Sequence, residues 1–156
     1  MTGGGELREA MRRHPAGVSV VTVDLAGERL GLTVASLVSL ALEPPLVGIS
    51  IARQAALHEL LRAAGGFAVS MLAGDQAAVA QHFARGVPPI ALWTGVAAHE
   101  GARGPLLEGA VGWLECALEA EHPAGDHTLF LGRVERAETG ADAPPLLRLG
   151  GDYRAA

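Results

Sequence analysis

Two long runs, Val111 to His122 and Thr128 to Ala137, constrain this chain more than any other feature. Along the first, Trp113, Glu115, Ala117 and Glu119 fall on one parity and Leu114, Cys116, Leu118 and Ala120 on the other, the period of an extended strand. Only Pro123-Ala124-Gly125-Asp126 and His127 separate the runs, and so short a connection reverses the chain. The pair therefore predicts adjacent antiparallel strands, because a parallel crossover needs about a dozen residues or more.

The remaining segments read in the same style. Val18 to Val23 is β-branched almost throughout, Gly27-Glu28 offers a turn, and Leu30 to Leu40 continues the pattern, which predicts a hairpin. Leu46 to Ala52, after Pro44-Pro45, is apolar except at Ser50 and reads as a strand buried on both faces. Phe67 to Leu72 predicts a further strand. Leu57, Leu60, Leu61 and Ala64 recur at helical spacing before Gly65-Gly66 stops them. A second helix carries Ala78, Val79 and Phe83, with Asp75 expected as its N-cap. Glu6 to Arg13 predicts a short helix that ends before His14-Pro15. About seven strands with two or three short helices and no βαβ alternation make the fold class mainly β, an antiparallel barrel or sandwich. One domain is expected over residues 1–156, with 1–13 as an N-terminal helix or arm.

Composition narrows the function. At 156 residues, 49% hydrophobic and 19% charged, the chain can bury a core and is too weakly charged for disorder. A net charge of −5 with scattered arginines argues against a nucleic-acid partner. The most apolar stretch, Leu30 to Ala52, is broken by Glu43-Pro44-Pro45 and dotted with hydroxyls, so no membrane span is expected. The charged segment Met1 to Arg13 does not read as a secretory signal, which leaves the cytoplasm as the expected compartment. The lone Cys116 forms no intrachain disulfide and reads as a buried, inert thiol.

Chemical motifs are mostly absent. There is no G-x-G-x-x-G, Walker A loop or G-x-S-x-G elbow. His58-Glu59 begins like a zinc-protease helix, but Arg62 stands where the second histidine is needed. His122, Asp126 and His127 lie close together across a turn, and a polar turn is favoured over a metal site there, so no metal is expected.

Five blocks in fixed order carry a resemblance. They are His14-Pro15-Ala16-Gly17-Val18; Gly31 to Leu40 with Glu43-Pro44-Pro45; Gly66 to Leu72 with Asp75-Gln76 and Phe83-Ala84; Leu114-Glu115-Cys116 with Gly125 to Val134; and Pro145-Leu146-Leu147 leading to Gly151-Asp152-Tyr153. Over residues 10 to 154 the chain resembles the flavin reductase-like family of short-chain NAD(P)H:flavin oxidoreductases. The resemblance implies a split β-barrel homodimer that binds FMN or FAD, accepts reducing equivalents from NADH or NADPH, and supplies reduced flavin to a partner monooxygenase.

It also implies roles for residues. Thr33, Val34, Ala35, Ser36 and Ser39 on one stretch, with Ser50 and Ile51 on the next, lie along the flavin, mixing apolar wall with hydroxyl and backbone donors. Arg53, Gln54 and Arg85 are expected near the ribityl phosphate, since a guanidinium grips phosphate through two hydrogen bonds. Phe83 and Tyr153 are expected as pocket walls. His127, within the Gly-Asp-His block, is the candidate catalytic residue, positioning nicotinamide against flavin. The alternative is a protein on the same fold that holds flavin or haem without turnover.

Overall fold

The computed structural model describes residues 1–156 throughout. In chain order the elements are α1 (Gly4–Met11), β1 (Ala16–Gly17), β2 (Ser19–Leu25), β3 (Glu28–Val34), β4 (Val38–Leu42), β5 (Pro45–Ala52), α2 (Ala56–Ala64) and β6 (Gly66–Met71). There follow α3 (Ala77–Ala84), α4 (Pro89–Leu92), β7 (Ala98–His99), β8 (Leu106–Leu107), β9 (Gly112–Ala124), β10 (His127–Thr139), β11 (Leu146–Leu149) and β12 (Asp152–Ala155). Seven strands form one antiparallel sheet in the order β3-β2-β6-β9-β10-β5-β4, beside a small sheet β1-β11-β12 and a ribbon β7-β8.

The long antiparallel pair forms as its alternation requires. His127 pairs with Ala124, so the turn shrinks to Gly125-Asp126, and the ladder runs on to Thr139 opposite Gly112. Two bulges interrupt it, at Glu119 and Glu135, and each bulged carboxylate meets an arginine: Glu119 with Arg133 at 3.1 Å and Glu135 with Arg103 at 2.8 Å.

The expected hairpin is only half right. β2 and β3 pair around a turn with Ala26 and Gly27 at positive φ. The run Leu30 to Leu40 is not one strand, however. It breaks at Ala35-Ser36-Leu37, and β4 crosses to the opposite edge of the sheet to pair with β5. The two edges of the sheet meet at this break, where the Ser36 hydroxyl accepts a bond from Ser50 N–H at 3.0 Å and donates to Ser50 C=O at 3.2 Å. This is the seam of the barrel.

Other details differ as well. The N-cap of α3 is Gln76, not Asp75. Gln76 is drawn inward, where its Oε1 accepts from Ala73 N–H and its Nε2 donates to the Glu108 carbonyl. α4 adds a four-residue helix to the expected ones. β11 and β12 form where the sequence offered only the block Pro145-Leu146-Leu147 to Tyr153, because short strands of mixed polarity carry little periodicity.

The core lies between β2, β5, β6, β9 and β10 and helix α2, around Val20, Val21, Ile49, Ile51, Leu61, Phe67 and Phe130. On the other side of β3, Gly31 allows α3 to dock: a Cβ there would lie 2.7 Å from the Phe83 ring. No helix is long and apolar enough to cross a membrane.

Candidate functional site

Alternation along β5 and β10 sorts their side chains between two faces. Val47, Ile49, Ile51, Thr128 and Phe130 point into the core, whereas Leu46, Ser50, Ala52, His127, Leu129 and Leu131 point outward. The register places Ser50 opposite Leu129 and Ala52 opposite His127, so Ser50 and His127 share one open face. Val38 and Leu40 of β4 extend that face, 45% and 46% exposed, over Gly48.

The seam borders the same face. N–H groups of Ala35, Ser36 and Leu37 lie between strands and donate to no backbone carbonyl. Three unspent donors in a row, next to Ser36 and Ser50, form a ready acceptor site for a polar ring edge. At the far end of β5, Arg53 N–H donates to the Asp126 carbonyl at 3.0 Å, which ties the β9–β10 turn to the start of α2. Gln54, Ala56 and Leu57, which follow Arg53 in the chain, leave their N–H groups without backbone partners.

His127 is 43% exposed, and its Nδ1 lies 2.7 Å from Asp126 Oδ1. A carboxylate only accepts, so Nδ1 carries the proton, and Nε2 makes no hydrogen bond within the chain. The hydrogen bond from His127 holds the Asp126 carboxyl below its usual range, so that carboxylate is ionised at neutral pH.

The other expected residues scatter. The Thr33 hydroxyl is spent on the Ala80 carbonyl at 2.6 Å. Side chains of Val34, Ile51 and Phe83 are buried in the core, Phe83 at 2% exposure against Trp93 at 5.3 Å. Ser39 and Gln54 are exposed. Arg85 and Tyr153 share a cleft of about 340 Å³ with Gln81 and Asp152. Arg53 lines a smaller polar cleft of about 220 Å³ with His58, Thr128 and the Arg62 guanidinium, which is paired there with Glu59 and Glu121. No three His, Cys, Asp or Glu side chains converge in a metal-ligating group. Cys116 is fully buried, and burial pushes its thiol up to about 12.

This arrangement matches a known domain. The family model described as "Flavin reductase like domain" matches residues 11–156. The chain belongs to the flavin reductase-like family. Among its flavin reductase relatives, the reductase component of 4-hydroxyphenylacetate 3-monooxygenase from Thermus thermophilus is 41% identical, covering 94% of this chain and 93% of that one. An NADH-dependent flavin reductase from a Rhodococcus species is 39% identical, covering 95% of this chain and 84% of that one. The solved NADH:FAD oxidoreductase of Streptomyces globisporus superposes with a TM-score of 0.92 at 38% identity, covering 97% of this chain and 92% of that one. The expected antiparallel split barrel is the fold observed.

Measured against what a flavin demands, the residues fit: an apolar outer wall at Val38, Leu129 and Leu131, free donors at Ala35 to Leu37, and a cationic end at Arg53. The sequence pointed to backbone donors at Ala35 and Ser36 but not to Leu37 or to the strand break that leaves all three N–H groups unspent, because apolar periodicity hides such a break. Nor did it point to Leu129 and Leu131 as a surface, since both parities of β10 are apolar.

Proposed function

We propose that this chain is a flavin reductase that oxidises NADH, reduces diffusible FMN or FAD, and works as a cytoplasmic homodimer feeding a monooxygenase. The reading rests above all on the row of free amides at Ala35 to Leu37 beside the Ser36–Ser50 seam, opening onto the face that carries His127. Relatives named as NADH-dependent flavin reductases and as a monooxygenase reductase component support it.

Flavin and nicotinamide between them supply the hydride acceptor and donor, so no protein base is required. The chain's own work is positioning. Ala35, Ser36 and Leu37 hold fixed N–H donors toward a polar ring edge, and such preorganised donors favour negative charge there. His127 presents Nε2 at the rim, with Asp126 fixing its tautomer and direction. Arg53 and the first amides of α2 hold a phosphate end. The outward Leu129, Leu131, Val38 and Leu40, together with Leu42 at 82% exposure, form the face on which a second copy closes the site.

NADH oxidation followed by absorbance, with FMN, FAD or no flavin, tests this. Wild type is expected to oxidise NADH only with flavin added, and His127→Ala to slow turnover about 10- to 100-fold with an unchanged melting temperature. A pigment that binds without any NADH oxidation would favour the non-catalytic carrier instead.

A further inference from the structure

Helix α2 turns one face into the core, and Leu57, Leu60 and Leu61 cover it as their spacing requires. His58 is buried among them, 4% exposed, with its ring centre 5.1 Å from that of Phe130. An imidazole is costly to desolvate there, and a leucine would fill the space without that cost. Both ring nitrogens are nevertheless spent: Nδ1 lies 2.9 Å from Glu59 Oε1, and Nε2 lies 2.7 Å from the Thr128 hydroxyl. The bond from His58 holds the Glu59 carboxyl below its usual range. Since a carboxylate only accepts, Nδ1 carries the proton and the Thr128 hydroxyl donates to Nε2.

These bonds belong to a longer series. Glu59 also accepts from Arg62 Nη1 at 3.2 Å, and Arg62 grips Glu121 of β9 through Nη2 and through Nε at 3.1 Å. α2 is thus fastened to β9 at Glu121 and to β10 at Thr128. Thr128 faces inward, opposite Ile51, whereas its neighbour His127 faces outward, opposite Ala52. On the other flank of His127, the Asp126 carbonyl accepts from Arg53 N–H. His127 is therefore bracketed by two fastenings to the start of α2, one through backbone and one through the Thr128 side chain. Replacing a buried polar pair with apolar groups of the same shape is nearly neutral for stability, so what this pair adds is direction rather than strength.

We propose that His58 is a positioning residue for the reductase reaction, acting through Thr128 to hold His127 in place on the open face. His58 works at one remove, because its ring lies on the inner side of β10 with Phe130, away from the face that carries His127. Thr128 is β-branched, so a bond to its hydroxyl fixes its χ1 and pins the strand at the residue beside His127. The inference deepens the reductase reading and rests on it for the role of His127.

The test uses T128V, which keeps the shape of the side chain and deletes the hydroxyl, T128S, which keeps the hydroxyl, and H58L. L107A, at the buried β8, supplies a loss of packing away from the site. In NADH oxidation with FMN, T128V and H58L are expected to lower kcat about tenfold while KM for NADH and for FMN changes less than about twofold. T128S is expected to retain most of kcat, and L107A all of it. Because the effect runs through His127, neither T128V nor H58L is expected to slow the H127A variant further. Long-range ¹⁵N–¹H spectra read the same point without turnover. They are expected to show the His127 ring as the Nδ1–H tautomer in wild type, T128S and L107A, and as a mixture of tautomers in T128V and H58L. An unchanged kcat in T128V, losses that multiply with H127A or are reproduced by L107A, or a His127 tautomer unchanged in T128V and H58L would overturn the proposal, with melting temperatures confirming that each variant folds. Absence of NADH oxidation in wild type would overturn the reductase reading alone, because the tautomer still reports whether His58 and Thr128 hold His127.

Discussion

Strands β5 and β10 share one hydrogen-bonded ladder yet present two very different faces. Inward, Ile49, Ile51 and Phe130 are fully buried. Outward, Leu46, Leu129 and Leu131 are almost as apolar but stay half-exposed, and Val38, Leu40 and Leu42 beside them are exposed. Backbone bonding is common to both faces, so it explains neither. The inner face carries the stability of the single chain; the outer face buys nothing for that fold and makes sense only if something covers it.

The comparison breaks most visibly at Phe130. Phe130→Ala empties the inner face and is expected to cost about 3–5 kcal/mol, seen as a lower urea midpoint. Leu131→Glu tests the outer face. It is expected to leave the urea midpoint of the chain nearly unchanged while weakening self-association by about 2 kcal/mol or more in sedimentation, as for a central interface residue. A loss of stability without a change in assembly would show that the outer leucines serve the fold instead.

The dryness of the interior can be read through Cys116 on β9. Its folded thiol is raised from 9.0 to about 12, so the native state keeps a proton that the unfolded chain releases. Stability is therefore undiminished below pH 9 and declines as pH rises from there toward 12. At pH 10 the decline amounts to about 1 kcal/mol, and denaturation of Cys116→Ala should show that slope removed. The smallest expected effect is at the seam. Ser36→Ala removes both bonds to Ser50, costs about 1 kcal/mol in thermal unfolding, and raises KM for flavin while sparing the assembly.

What could be read from the sequence follows from what local patterns encode. The β9–β10 pair was legible because a short turn joins two alternating runs, and β2–β3 for the same reason. The break at Ala35 was not, because Leu30 to Leu40 specifies an extended backbone without naming the neighbour to which each half bonds. Ser50 and His127 stood out as a hydroxyl inside an apolar strand and as the end of a Gly-Asp-His turn. Parity was invisible for Ile51 and Phe83, whose side chains turn inward.

The seam at Ala35-Ser36-Leu37 has one further consequence. Because the amides offered there are also the place where the sheet's two edges are held together, loading and closure form a single equilibrium: any molecule that takes those donors subtracts from the population of opened barrels by mass action. An enzyme that hands its flavin on after each cycle would then be at its loosest between cycles, and the rate at which a protease nicks the Ala35 segment becomes a gauge of how full the enzyme is.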